Sequence, residues 1–115
     1  MTERKQKRFS ITGTATLQFE DGGESRTIQA ILNNISSFGM GLYANNPVEA
    51  NQQVSVAINF ISIDGIEESV IEGRVIYSKD LGNIYFVGIK FNEDVNSKNQ
   101  PVLFKHIQNL LAFDK

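Results

Sequence analysis

The 115-residue chain has no cysteine. This excludes disulfides, thiolate zinc sites and a cysteine nucleophile, and it is in keeping with a cytoplasmic location. Histidine is almost as scarce, since His106 is the only one. One imidazole and no thiol cannot assemble the common His/Cys metal clusters or a Cys/His pair. His106 falls beside an apolar stripe, so a structural or surface role is expected for it. No apolar run approaches the roughly 20 residues of a membrane span. The basic start of the chain is not followed by an apolar stretch, so no secretory signal is expected. Phosphate-cradling glycine motifs of the P-loop and GxGxxG kinds are also missing. Glu67 and Glu68 are adjacent, and on a strand they would face opposite ways, which makes them a poor acid/base pair. An enzyme is not expected: no catalytic residue, no metal site and no cofactor is assigned.

The sequence has 41% hydrophobic and 21% charged residues, enough apolar material for the core of one domain. A net charge of −2 conceals an asymmetry. Residues 1–8 hold Arg4, Lys5, Lys7 and Arg8 against Glu3, a sum of +3, and residues 9–115 sum to −5. The sequence therefore divides into a flexible basic arm, 1–8, and a folded domain, 9–115. Clustered positive charge suggests an anionic partner such as a nucleotide, a nucleic acid or a membrane surface, unless it serves only as a solubilising tail.

The folded part reads as strands. Phe9, Ile11, Ala15, Leu17 and Phe19 alternate, with Gly13 a bulge or bend. Asp21-Gly22-Gly23 is a turn. Ile28, Ala30 and Leu32 share one face of the next strand, Asn33 to Gly39 form a polar break, and Met40 to Tyr43 form a short strand. Val54, Val56, Ile58 and Phe60 alternate in a strand extending through Ile63 to a turn at Asp64-Gly65. Val70 to Tyr77 follows with Ile71, Val75 and Tyr77 on one face, and Tyr85, Val87, Ile89 and Phe91 alternate in the last strand. Six strands joined by short turns predict an all-β fold, a six-stranded antiparallel barrel, because closure removes sheet edges. The period then changes: Leu103, Ile107, Leu110 and Leu111 form one stripe of a C-terminal α-helix over 99–113, with Asn99 as cap and Pro101 in the first turn. This helix would cover one mouth or side of the barrel.

Two segments carry chemistry. Arginines four apart, Arg4 and Arg8, can converge on one target, and a guanidinium suits phosphate oxygens or the O6/N7 edge of guanine. Between two strands lies Asn34-Ile35-Ser36-Ser37-Phe38-Gly39. Asn34 can donate to and accept from a base edge, Ser36 can donate to a ligand acceptor, and Gly39 permits positive φ or close ligand approach. Asn34 and Ser36 are equally suited to an Asx or ST turn closed on their own backbone.

Together these segments resemble the PilZ domain family, a six-stranded barrel with a C-terminal helix. Its signature is RxxxR at the entrance to the first strand and [D/N]xSxxG between the second and third. Glu72-Gly73-Arg74-Val75 and Val87-Gly88-Ile89-Lys90-Phe91 resemble its later strands. The resemblance implies binding of the bacterial second messenger cyclic di-GMP, with Arg4 and Arg8 on its phosphates and guanine edges, Asn34 and Ser36 on a guanine and its phosphate, and Gly39 shaping the loop. It also implies a protein partner that receives the signal as the arm orders over the barrel. Asn34 stands where many members have Asp. The alternatives are a PilZ-like adaptor that binds no nucleotide, or a small nucleic-acid-binding barrel. The second of these is disfavoured by the −5 sum of residues 9–115.

Overall fold

The structure, a computed structural model, describes residues 8–113. The arm assigned to residues 1–8 therefore lies outside the described residues except for Arg8. The elements are β1 (Phe9–Ser10), β2 (Gly13–Asp21), β3 (Glu24–Ile35), β4 (Gly39–Ala44), β5 (Gln53–Ser62), β6 (Gly65–Asp80), β7 (Tyr85–Phe91) and α1 (Pro101–Phe113). All strand pairs are antiparallel. Six strands follow one another as β3-β2-β5-β6-β7-β4, and pairing of β4 with β3 closes the ring. The β2–β3 hairpin turns through Gly22 and Gly23, with φ of 61° and 87°, the conformation a two-residue hairpin loop requires of both central residues. No described helix is long and apolar enough to cross a membrane.

The alternating residues fill the barrel. Leu17, Leu42, Val56, Ile58, Phe60 and Val87 are wholly buried, and Leu103 of α1 is buried with them. The long first strand is interrupted. Residues 9–10 pair with the end of β3, and only from Gly13 does the chain pair with both β3 and β5. The interruption coincides with a bulge in β3 between Leu32 and Asn34, which breaks the ladder that one continuous strand would need. A second bulge, between Val75 and Tyr77 of β6, overturns the expected common face of Ile71, Val75 and Tyr77. Val75 is buried, whereas Tyr77 is 43% exposed. β5 ends at Ser62, and Ile63 and Asp64 form the tip of the hairpin to β6.

Helix α1 packs beside the β5–β6 hairpin. Gln100 Nε2 donates to the Val70 carbonyl at 2.8 Å, and Lys105 reaches Asp64 at 3.2 Å. Asn99 is not the cap. The first helical bond runs from Phe104 N to Gln100 O, while Asn99 Oδ1 accepts from Asn96 N in the preceding loop. Of the expected stripe, Leu103 and Ile107 are buried and Leu110 is partly buried, but Leu111 is 46% exposed. His106 takes the remaining inward position, its ring 4.8 Å from that of Phe60. Leu103→Ala should destabilise the domain by about 2–5 kcal/mol through lost burial and a residual cavity. Leu111→Ala should change stability by less than about 0.5 kcal/mol. Urea unfolding of the two variants checks the contrast.

Among the described residues, Nδ1 of His106 finds no hydrogen-bond partner. Burial holds the pKa of this imidazole below 6.5, because a charge there would be desolvated without compensation. The unfolded chain then binds the proton more readily than the folded one. This contribution is complete above pH 6.5 and is lost as pH falls through that value toward the lower folded pKa. Unfolding free energies measured across this range should fall more steeply in the wild type than in His106→Leu, with a difference in slope of up to about 1.4 kcal/mol per pH unit.

Candidate ligand site

The site is built on the outer wall of the barrel, where β3, β4, β7 and β6 lie side by side. Leu32 and Leu42 pair inside the barrel. If β3 simply alternated, Asn34 would follow Leu32 inward. Instead the bulge at Asn33 sets Asn34 opposite Gly41 on the outer face and returns Ile35, which is 0% exposed, to the interior opposite Met40. Asn34 is thus on a strand and not in the expected loop. There its Oδ1 accepts from Nη1 of Arg8 at 3.0 Å, across 26 residues of sequence. The two sequence segments are brought together by this bond. Arg4, the other half of the first segment, lies outside the described residues.

Ser36 behaves as the turn reading anticipated. It is 1% exposed, and its Oγ accepts from Phe38 N at 3.1 Å and Gly39 N at 3.3 Å, while its own N–H donates to Gly39 O at 2.9 Å. The hydroxyl therefore shapes the turn that feeds β4. Gly39 does not have positive φ. It is needed because a Cβ there would stand 2.3 Å from the Ile89 carbonyl oxygen on β7.

Sequence reasoning left out the outer residues around these four. Asn34, Gly41, Gly88 and Tyr77 form one row across four strands. The bulge in β6 turns Tyr77 outward over Gly88, where a Cβ would come within 2.4 Å of the ring. Phe86 lies over Gly41 in the same manner, beside Asn34 Oδ1. Its ring centroid is 5.1 Å from that of Tyr43 and 5.8 Å from that of Tyr77. A shallow recess of about 150 Å³ opens next to this row, lined by Arg8, Phe38, Gly39, Ile76, Ile89 and Lys90. The available signal was the pair of glycines at outward strand positions, where a missing side chain leaves room for a neighbouring ring.

A closed six-stranded antiparallel barrel, with a C-terminal helix and an outer face on which an N-terminal arginine meets a polar turn, is a β-barrel domain with the groups to hold a small anionic ligand. The chain belongs to the PilZ domain family, whose family model matches residues 2–113. No curated protein matches it significantly. Among solved structures it is similar to the inhibitor of motility MotI (DgrA) of Bacillus subtilis, with a TM-score of 0.71 and 14% identity. The similarity covers 100% of this chain and 55% of that one, so the chain spans about half the length of that protein. It is also similar to the PilZ domain of YcgR from Escherichia coli, solved with cyclic di-GMP, with a TM-score of 0.57 and 15% identity over 96% of this chain and 91% of that one. At these identities the likeness establishes the fold.

The two motif-side glycines should respond differently to a methyl group. At Gly39 the obstacle is backbone, so Gly39→Ala should cost about 1–3 kcal/mol. At Gly41 the obstacles are the ends of two side chains, Phe86 Cζ at 2.9 Å and Asn34 Oδ1 at 3.0 Å. These can give more readily than backbone, although Phe86 packs against Tyr43 and Tyr77 and Asn34 holds Arg8, so Gly41→Ala should cost less than Gly39→Ala, about 1 kcal/mol. Denaturant midpoints of both variants test this.

Proposed function

We propose that this protein is a receptor for the bacterial second messenger cyclic di-GMP. In this reading, it passes the signal to a protein partner when the segment bearing Arg4 and Arg8 settles over the barrel. Membership of the PilZ family and the YcgR domain solved with cyclic di-GMP support the ligand. The observation that carries the reading is the 3.0 Å bond from Arg8 to Asn34, which joins the two motif halves on one exposed face. A guanidinium there offers several donors to a phosphate or to guanine O6/N7. The Asn34 carboxamide adds both a donor and an acceptor for a base edge. Ser36 and Gly39 act on the ligand through the shape of the turn. A cytoplasmic location goes with this reading.

One observation favours the adaptor alternative. Asn34 Oδ1 and Ser36 Oγ already have partners within the chain, so the motif is satisfied without a ligand. The MotI neighbour, named as an inhibitor of motility, likewise fits a domain that works by engaging another protein. Calorimetric titration with cyclic di-GMP separates the two. Wild type should bind, and Arg4→Ala, Arg8→Ala and Asn34→Ala should each lose about 1.5–3 kcal/mol, roughly tenfold to a hundredfold and more in affinity. A wild type that gives no heat would leave the adaptor reading standing alone.

A further inference from the structure

We infer that Lys90 and Arg74 extend the site into a second phosphate-binding position beside the one at Arg8; this rests on the cyclic di-GMP reading. Lys90 of β7 pairs with Gly39 of β4 on one side and with Arg74 of β6 on the other. Paired residues on neighbouring strands stand about 5 Å apart. The two cations therefore leave the wall one and two strands beyond the motif glycine. The recess that holds Arg8 and Gly39 also contains Lys90 and Ile76. Those same two residues line an adjoining, wider recess of about 630 Å³ together with Arg74, Asn51, Gln53 and Asn92. Arg8, Lys90 and Arg74 thus form a continuous line of cations, with carboxamides of Asn51, Gln53 and Asn92 as further donors.

The charge around this line favours an anion. Among the described residues no carboxylate lines either recess. Among the described residues the ion pairs are Arg26–Asp21 and Lys105–Asp64, and none involves Arg8, Lys90 or Arg74. Glu72, two residues from Arg74 on the same face of β6, lines a different recess with Glu93. Residues 9–115 sum to −5, so two cations side by side, with no described acid in the recesses they line, stand out against the rest of the domain. A cyclic dinucleotide carries two phosphodiester charges, and Arg8 meets one of them. Lys90 and Arg74 supply the counter-charge for another.

Titration of cyclic di-GMP into wild type, Arg8→Ala, Lys90→Gln and Arg74→Gln at two salt concentrations tests the assignment. Each Gln variant should bind about twofold to fivefold more weakly at low salt, the range of an exposed charge pair. The gap should close as the screening length falls from about 30 Å at 0.01 M to about 3 Å at 1 M. Unfolding midpoints without ligand should match wild type, which separates a charge effect from a packing effect. An unchanged stoichiometry would assign the position to the same ligand molecule, and a fall from two to one would assign it to a second molecule. If both Gln variants bind like wild type at low salt while Arg8→Ala is impaired, the second position is wrong and the receptor reading survives. If wild type itself does not bind, both are wrong.

Discussion

One extra residue in β3 decides what the outer wall of this barrel presents. Leu32 pairs with Leu42 and Asn34 with Gly41, so Asn33 has no counterpart on β4 and the side-chain alternation slips by one. The slip is fixed from inside. Ile35 is wholly buried, and burying such a side chain is worth about 1.5–3 kcal/mol. An uninterrupted strand would expose Ile35 and drive the Asn34 carboxamide into the core, where a polar group without partners is costly. The polar end of the site is therefore held in place by apolar packing on the other side of the sheet.

The opposite flank repeats the device. In β6 the irregularity at Ile76 keeps Val75 inside and turns Tyr77 out over Gly88. Between the two bulges lie β4 and β7, where Gly41 and Gly88 face each other without side chains. Phe86 and Tyr77 occupy the space the glycines leave. The wall is thus low and flat in the middle, with Arg8 and Asn34 at one edge, aromatic rings over the floor and Lys90 and Arg74 at the other edge. Each part depends on register, and the register depends on the core.

The core was the legible part of the fold. Val54, Val56, Ile58 and Phe60 alternate without interruption, and all four are buried. The paired motifs likewise led to the family that the comparison identifies. Both bulges were missed, because neither Asn33 nor Ile76 is a residue type that signals one. A phase test would have found the first: Ile28, Ala30 and Leu32 are even-numbered and buried, and Ile35 is odd-numbered and buried. Lys90 could not be placed from sequence, since it lies 51 positions from the Gly39 it faces. The Asn99 cap failed for a local reason. Its side chain is used by the loop before it, bonding Asp94 O and Asn96 N.

β4 is also joined to β7, through pairs that run from Ala44 with Tyr85 to Gly39 with Lys90, separations of 41 to 51 residues. The β2–β5 pairs, from Gln18 with Ser55 to Gly13 with Phe60, span a similar 37 to 47 residues, so these two seams bear comparable loop-closure entropy. Gly39, Gly41, Gly88 and Lys90 are all on the β4–β7 seam. A barrel opened along this seam keeps its hairpins but has no site, because the wall is cut through its floor. A ligand on the wall would be bound only by the closed ring, and would stabilise it by an amount that grows with the logarithm of ligand concentration over Kd. Occupancy would thus act as a latch on the β4–β7 seam, and the domain would couple ligand concentration to its own mechanical integrity.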